Sequence, residues 1–353
     1  MPAMPTDLEP SSPEPVATAP LPTQVVVDAT YSLPGIAFCC AAGEPPTTIY
    51  AGLSDFAIHR IDTAAEKPQP IRLGEASHDS YVTGLVRAGD RLISGGYDGA
   101  LIWWNAADGE QLRRIETAHD KWIRGLAITP DATRLVSVAD DMRTKVWDVA
   151  TGEQIADWGD HEVKTPQGYP SMLYAVALSS DGQWLATGDK TGEVLVREFS
   201  GAAGSIVARL QTPVMYTWDP RARNHSIGGI RSLAFSNDGQ SLAIGGMGKV
   251  NNIDHLEGPS RLEIFDWQAG AKLHEIEDTQ FKGLVEALRF APDDRWLIAA
   301  GGDHSGFVSI YEVGEGKLLA QSKTGSHVHD ISLAPDATSL VTVGHQQATK
   351  VLL

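Results

Sequence analysis

The side chains best suited to chemistry in this sequence are Ser, His and Asp residues that recur in sets. His78, Ser94 and Asp98 form one set, and an equivalent set begins at His119, 41 residues after His78. The same three types form the hydrogen-bonded triad that activates a serine nucleophile in many hydrolases. They also form hydrogen-bond networks that only hold neighbouring strands together. Which of the two applies depends on the elements that carry them.

Two other chemical signals are weaker. His327 and His329 are separated by one residue, so on a strand they share a face, as a metal-binding pair would. A metal site needs a third and a fourth ligand, and no further residue lies at a recognisable metal-binding spacing. The stretch 301–306 (GGDHSG) turns between predicted strands and not into a helix N-terminus, where a phosphate-binding loop would lie. We therefore predict no metal and no cofactor.

The net charge argues against several classes of partner. The 353 residues contain 28 Lys and Arg against 45 Asp and Glu, which gives −17 at pH 7. Nucleic acids and anionic membranes are bound through Lys and Arg, and no basic run is present, so we expect neither partner. Cys39 and Cys40 are adjacent and cannot form a disulfide framework, and the first basic residue, Arg60, lies too far along for a secretory or mitochondrial leader. We expect a cytoplasmic protein, as a monomer or as a subunit of a hetero-complex.

From residue 24 onward, short apolar alternations separated by polar turns repeat along the chain. Alternation with a period of two predicts four strands in the clearest copy: Ile123–Ile128, Arg134–Val138, Thr144–Asp148 and Gln154–Trp158. We count seven copies, at 33–62, 78–115, 118–158, 172–199, 229–276, 284–321 and 327–353. The 43 residues from Trp104 to Trp147 match the period of a four-stranded propeller blade.

Residues 1–23 differ from the rest in composition. The segment is acidic and rich in Pro, and it contains no aromatic residue. It cannot bury enough apolar surface to offset the entropy lost on ordering, which predicts a disordered or extended tail. A proline-rich docking peptide is the alternative, although no basic residue flanks the prolines.

The repeated unit resembles the WD-repeat (WD40) β-propeller family. The resemblance depends on a His before the first strand, a Pro-Asp turn, an Asp after the second strand and a Trp-Asp pair that ends the third. In the third copy these are His119, Pro130–Asp131, Asp141 and Trp147–Asp148. The resemblance covers residues 24–353. It implies a single all-β domain, a seven-bladed β-propeller with four antiparallel strands in each blade.

In that family, a structural tetrad of His, Ser or Thr, Asp and Trp stabilises a blade. The resemblance assigns two complete tetrads: His78, Ser94, Asp98 and Trp104, and His119, Ser137, Asp141 and Trp147. These sets are therefore expected to be structural and not catalytic. The fourth copy keeps Thr187 but has Arg197 in the Trp position, and the seventh copy ends in Leu352. We expect these two blades to depend on strand packing and to be the softest.

The last blade needs a strand from elsewhere in the chain. The sequence stops directly after the third strand of the seventh copy, which would leave an exposed sheet edge. Gln24–Asp28 (QVVVD) precedes the first copy and belongs to no blade of its own. As the resemblance implies, this N-terminal strand would complete the last blade and close the ring.

Long loops and the starts of the inner strands indicate where a partner binds. Loops 159–171, 211–228 and 246–260 are expected on one rim of adjacent blades. The resemblance implies that residues flanking the first apolar position of each inner strand ring the mouth of the central channel, where the family binds peptides and partner domains. These residues are Ser32 and Pro34, Tyr81 and Thr83, Trp122 and Arg124, Met172 and Tyr174, Gly229 and Arg231, Leu284 and Glu286, and His327 and His329.

Aromatic, Arg and Met side chains in this ring are the types enriched at interface hot spots. We predict a partner-binding site formed by Tyr81, Trp122, Arg124, Met172, Tyr174, Arg231, Glu286, His327 and His329. The alternative for Trp122 and Tyr174 is simple packing against neighbouring loops.

These features predict a non-catalytic scaffold or adaptor that binds a protein or peptide on its loop-rich face. The alternative is an enzyme, a lyase or hydrolase, with a site at the channel mouth. Its acid–base residues would be His327, His329, Glu286, Tyr81 and Arg124. A third possibility is a regulatory or recruitment subunit whose proline-rich tail docks elsewhere.

Overall fold

The computed structural model describes residues 20–199, 204–219 and 225–353. Most of the predicted tail therefore lies outside the described residues, and its disorder stays a prediction. Within the described part of the chain, no helix is long and apolar enough to cross a bilayer.

The first four copies form strands β1 to β16. The first copy contains β1 (Val26–Ala42), β2 (Thr48–Leu53), β3 (Ile58–Asp62) and β4 (Ile71–Arg72). The second contains β5 (Val82–Ala88), β6 (Arg91–Gly96), β7 (Leu101–Asn105) and β8 (Gln111–Ile115). The third contains β9 (Ile123–Ile128), β10 (Arg134–Ala139), β11 (Thr144–Asp148) and β12 (Gln154–Trp158). The fourth contains β13 (Leu173–Leu178), β14 (Trp184–Asp189), β15 (Glu193–Glu198) and β16 (Ile206–Gln211).

The remaining copies follow a short 3-10 helix (Pro213–Met215) and a hairpin of β17 (Tyr216–Asp219) and β18 (His225–Gly228). The fifth copy contains β19 (Ser232–Phe235), β20 (Ser241–Met247), β21 (Pro259–Asp266) and β22 (Ala271–Lys282). The sixth contains β23 (Leu284–Phe290), β24 (Trp296–Gly302), β25 (Gly306–Glu312) and β26 (Lys317–Lys323). The seventh contains β27 (Val328–Leu333) and β28 (Ser339–Leu352).

The core lies between neighbouring sheets, and the second strand of each copy is the most deeply buried. Leu135 and Val136 in β10 are completely buried, and β24 is buried along its whole length. The outer strand β12 is largely exposed. A strand that packs against sheets on both faces needs apolar residues at successive positions, whereas an outer strand does not. This gradient explains why the second strands read as continuous Leu, Val, Ile and Ala runs.

The inner strands pack side by side in a closed ring in the order β1, β5, β9, β13, β19, β23, β27 and back to β1. Each belongs to a sheet whose strands are antiparallel, with the exposed strands outermost. The all-β propeller is therefore confirmed. Its closed inner ring removes the sheet edges that an open stack of blades would expose.

The prediction of seven separate four-stranded blades is wrong in the number of sheets. The described strands form six sheets of four or more strands, together with the hairpin β17–β18. Five sheets have four strands, and the sixth has six, in the order β27–β28–β1–β2–β3–β4. The last and first copies share this sheet because β1 is uninterrupted. It pairs with β28 over residues 26–36 and with β2 over residues 37–42.

The N-terminal strand completes the last copy, as predicted, although it begins at Val26 and not at Gln24. Val26 lies opposite Leu352, and Val27 lies opposite Val351. Strand β28 reverses direction near Gln346 (φ 55°), since the Leu353 N–H donates to the Thr338 carbonyl. The last residues of β28 are therefore paired with the first residues of β1.

The three long loops are more structured than the sequence indicates. Loop 159–171 contains an isolated bridge between Lys164 and Pro170. Segment 211–228, expected as a loop, contains the 3-10 helix and the hairpin β17–β18, and its residues 220–224 lie outside the described part of the chain. The third loop shortens to 248–258 because β20 and β21 extend to Met247 and Pro259.

Candidate functional site

A cavity of about 610 Å³ opens at the channel mouth, and we call it the mouth cavity. Six of the nine predicted partner-binding residues line it: Arg124, Tyr174, Arg231, Glu286, His327 and His329. They converge because each lies at or beside the start of an inner strand, and these strands lie next to one another in the ring. The ring geometry thus brings together residues that lie up to about 200 positions apart in the chain.

Tyr81, Trp122 and Met172 are the predicted residues outside the cavity lining. Both Tyr81 and Trp122 contact the ring of Tyr97, whose side chain does line the cavity: Trp122 is stacked on it and Tyr81 is tilted against it. Met172 contacts the cavity indirectly, because the Tyr174 hydroxyl donates to its sulfur at 2.9 Å.

The predicted register of the first copy is wrong. Ser32 and Pro34 were expected at the mouth, but Ser32 pairs with Gln347 in the part of β1 that completes the seventh copy. Phe38 lies at the mouth instead. The uninterrupted β1 carries both the last strand of the seventh copy and the first strand of the first copy, which places the mouth position further along the sequence than the repeat pattern indicates.

Five aromatic residues beside the cavity form a continuous cluster, which we call the aromatic patch: Phe38, Phe56, Tyr81, Tyr97 and Trp122. Tyr97 and Trp122 stack with centroids 4.4 Å apart and planes 7° apart. Tyr81 and Trp122 are 40% and 48% exposed. Contiguous exposed apolar surface of this kind commonly marks an interaction site.

Arg124 fixes one end of the aromatic patch. Its guanidinium lies 4.8 Å from the Tyr97 ring centroid and 5.1 Å from that of Trp122. It donates two hydrogen bonds to the Asp140 carboxylate, at 2.9 and 2.8 Å. Burial lowers the pKa of Arg124, but the bonds to Asp140, the charge of Asp140 and the neighbouring Tyr97 and Tyr174 together outweigh this effect and raise the pKa above its ordinary value. A second arginine, Arg231, lies over the Tyr174 ring at 4.0 Å.

The mouth cavity is also lined by three imidazoles in mutual contact and a carboxylate, which we call the histidine cluster: His327, His329, His345 and Glu286. The ring centroids of His327 and His329 are 4.5 Å apart. Burial lowers the pKa of His329 to about 3, so its ring is neutral. Burial would raise the pKa of Glu286, but His327 and Arg231 lower it, so the carboxyl is ionised.

Several residues of the mouth cavity were missed by sequence reasoning. They are Phe38, Tyr97, Leu256, Asp303, His304 and His345. Tyr97, Asp303 and His304 lie in turns after second strands, and the repeat pattern places those turns on the same face as the mouth. The location of these turns in the repeat was the signal that could have revealed Tyr97, Asp303 and His304.

The long loops pack against each other beside the cavity. The Tyr216 hydroxyl donates to the Gln167 side chain at 2.6 Å, which joins the hairpin to loop 159–171. Tyr169 and Trp218 make a ring contact at 5.2 Å between the same two segments. Leu256, from loop 248–258, reaches the mouth cavity. The Val250 N–H of loop 248–258 donates to Thr217 Oγ1 of the hairpin at 3.4 Å, so the three loops form one joined rim on this side of the mouth.

The two complete tetrads form the expected hydrogen bonds. In the second copy, Ser94 Oγ lies 2.7 Å from His78 Nε2 and accepts from Trp104 Nε1–H at 2.8 Å, while Asp98 lies 2.9 Å from His78 Nδ1. The set at His119, Ser137, Asp141 and Trp147 repeats these distances to within 0.1 Å. Each serine is completely buried and already bonded to Trp, so no substrate can reach its hydroxyl.

The fourth copy has a third histidine network that the sequence interpretation missed. His161 Nε2 lies 2.9 Å from Thr187 Oγ1, and Nδ1 lies 3.4 Å from Asp189. The signal was present, since His161 follows His119 by 42 residues. Arg197, in the Trp position, lies over the Trp158 ring at 4.3 Å and pairs with Asp160. This copy therefore has a side-chain anchor besides strand packing.

Comparison with known proteins agrees with a chain built from WD repeats. A family model described as "WD domain, G-beta repeat" matches residues 109–148 and 161–196. The chain is 30% identical to apoptotic protease-activating factor 1 of Rattus norvegicus over 254 residues, 72% of this chain and 14% of that protein. It is 25% identical to WD repeat-containing protein SL1-17 of Schistosoma mansoni over 65% of this chain and 64% of that protein. It is 24% identical to eukaryotic translation initiation factor 3 subunit I of Scheffersomyces stipitis over 80% of this chain and 76% of that protein. The chain thus matches less than two thirds of the length of the first two relatives.

Proposed function

Since the chain belongs to the WD-repeat family of β-propellers, we propose that it is a non-catalytic scaffold or adaptor that binds a protein or peptide at the channel mouth. The aromatic patch is the observation that carries this proposal. Its rings contact one another and still leave Tyr81 and Trp122 exposed. Large aromatic side chains beside Arg supply most of the binding energy at protein interfaces.

The arginines favour a preorganised site. Arg124 is held by Asp140 and by the Tyr97 ring, so little side-chain entropy remains to be lost when a partner docks. Arg231 and Tyr174 extend the same surface across the mouth cavity. A partner that inserts one side chain into the cavity would contact both the patch and the arginines.

The relatives support protein partners. One of them is named as a subunit of translation initiation factor 3, and hence as part of a larger assembly. We further propose a cytoplasmic location, which fits two buried cysteines that are both free.

The alternative function, an enzyme with a site at the channel mouth, fits the geometry of the mouth cavity less well than a scaffold does. An acid–base set of His327, His329, Glu286, Tyr81 and Arg124 must converge on one substrate atom. The Arg124 guanidinium is engaged by Asp140, and Tyr81 stacks on Phe38 outside the cavity lining. The aromatic patch therefore favours binding over catalysis.

The test is affinity capture from native extract with matched variants. Trp122→Ala and Tyr174→Ala should each lose a partner that the wild-type protein retains. Leu112→Ala is the control, because Leu112 is equally exposed (47%) but lies on the outer strand β8. With the purified partner, Trp122→Ala should weaken binding at least about tenfold, while the melting temperature stays unchanged. Identical partner lists for Trp122→Ala and Leu112→Ala would exclude the aromatic patch as the binding site.

A further inference from the structure

Glu286, His327 and His329 direct ligand atoms toward one point in the mouth cavity. One oxygen of Glu286 and one ring nitrogen of each histidine lie within 4.8 Å of one another. Glu286 Oε1 and His327 Nε2 are 3.7 Å apart. The carboxylate comes from β23 and the imidazoles from the start of β27, two inner strands that are neighbours in the ring.

The tautomer of His327 leaves a lone pair on the inward nitrogen. Its Nδ1 lies 3.0 Å from the Asp303 carbonyl, which can only accept a hydrogen bond, so Nδ1 is the donor. In a neutral ring, Nε2 then has no proton and points toward Glu286. A metal-binding histidine commonly has this arrangement, with the second nitrogen anchored to a backbone carbonyl.

Within the described part of the chain, both inward nitrogens lack a hydrogen-bond partner. The Nε2 atoms of His327 and His329 are buried and make no hydrogen bond to any described residue. A buried polar atom without a partner costs about 1–3 kcal/mol, so such atoms commonly mark a missing ligand. The histidines of the tetrads differ, since His78 and His119 each have a partner on both ring nitrogens.

We propose that Glu286, His327 and His329 bind a zinc ion at the channel mouth, an inference that goes beyond the proposed scaffold function. Two imidazoles and one carboxylate form a three-ligand zinc set that leaves one position open. That position faces the mouth cavity, where a ligand atom of a bound partner can complete the coordination. Metal bonds of roughly 2.0–2.2 Å place tetrahedral ligand atoms about 3.4 Å apart, so Glu286 and His327 are almost in position and the other pairs must close by at most about 1.4 Å.

Sequence reasoning excluded a metal because no third ligand lay at a recognisable spacing from the histidine pair. Glu286 lies 41 residues before His327, one repeat period away. No linear metal-binding motif spans such a distance. The ligand set arises only because adjacent repeats become adjacent strands.

The experiment measures the binding of zinc ions to the full-length protein. The protein is first treated with a chelator to remove bound metal. Calorimetric titration at pH 7.5 should give one zinc per chain for the wild type. Glu286→Gln and His329→Gln should each lower the affinity at least about tenfold. His304→Ala is the control, because this histidine also lines the cavity but is 81% exposed and bonded to the Asp303 side chain.

Folding is followed separately, so that a damaged variant is not mistaken for a lost site. Circular dichroism without metal should be the same for Glu286→Gln and the wild type. Zinc should raise the melting temperature of the wild type and of His304→Ala, but not of Glu286→Gln. If a variant misfolds, cobalt substitution in the wild type decides: the spectrum of a four- or five-coordinate site supports the proposal, and an octahedral spectrum overturns it.

Two further results would also overturn it. One is the absence of saturable binding at micromolar zinc. The other is equal affinity in the wild type and Glu286→Gln, which would place the ion elsewhere. The test uses no partner protein, so its outcome is independent of whether the aromatic patch binds one.

Discussion

At the residue scale, burial and hydrogen bonding act in opposite directions on Asp98. Burial raises the pKa of this carboxyl. Hydrogen bonds from His78, the Asp79 N–H and the Ala100 N–H together lower it by more, so the net pKa lies below its ordinary value of 3.8. Asp141 has the same environment in the third copy. Each carboxylate thus stabilises the fold in its ionised form.

Asp98→Asn tests this stabilisation through its pH dependence. At pH 7 the variant should lose about 1–3 kcal/mol of unfolding free energy, because the ionised acceptor is gone. In the wild type, the contribution of Asp98 is complete above the ordinary pKa and is lost as the pH falls through the lower folded-state pKa. The variant should therefore lose less stability than the wild type between pH 5 and pH 2. Urea denaturation measured across this range gives both slopes.

The control for that comparison is Asp90→Asn, because the Asp90 side chain is 95% exposed. Its stability and pH slope should match those of the wild type. If Asp98→Asn and Asp90→Asn show the same slope, the tetrad carboxylate does not stabilise the blade in its ionised form.

At the scale of elements, the fourth copy shows how a blade can replace its tetrad tryptophan. Arg197 takes the Trp position on β15 and lies over the Trp158 ring of β12, so the contact joins two neighbouring sheets. Its side chain is 11% exposed and also pairs with Asp160. A desolvated cation over an indole is worth up to about 2 kcal/mol.

Arg197→Ala should therefore destabilise the protein by about 1–2 kcal/mol in urea denaturation. Arg197→Lys should recover only part of this loss, because an ammonium is not planar and cannot stack flat on the face of the indole ring. Arg209→Ala, on the adjacent strand, removes an arginine that is 53% exposed and should change stability by less than about 0.5 kcal/mol. Equal effects of Arg197→Ala and Arg209→Ala would show that strand packing alone holds this copy.

At the scale of the whole molecule, the shared six-stranded sheet joins the two ends of the chain. Residues 26–32 pair with the last residues of β28, and Asp28 pairs with Lys350 at 3.0 Å. Val25 packs with Val351 and Val328 in one apolar cluster. Closure of the ring therefore depends on a few residues at the N-terminal end of β1.

Two truncations separate this closure from the preceding tail. Deletion of residues 1–28 removes Val25, the first pairs with β28 and the ion pair to Lys350, so the protein should unfold or aggregate. Deletion of residues 1–20 leaves all of these contacts and should be harmless. Thermal melting and size-exclusion chromatography distinguish the two, and equal melting temperatures would show that the N-terminal strand is dispensable.

Local patterns along the chain were sufficient for the strands. In the third copy, β9, β11 and β12 have the predicted bounds, and β10 is longer by one residue, because alternation and turn residues act over a few positions. The two tetrads were assigned from the family resemblance: Ser, Asp and Trp keep the same spacing in both copies, whereas the His lies 16 residues before Ser94 and 18 residues before Ser137. His161 was predictable from the same period.

Features that depend on contacts between repeats could not be read in this way. The uninterrupted β1 merges the last and first copies into one sheet and moves the mouth position to Phe38. The stacking of Tyr97 on Trp122 and the approach of Glu286 to His327 join residues of neighbouring copies. The physical reason is that repeat spacing specifies each unit, whereas ring closure determines which side chains of adjacent units share a cavity.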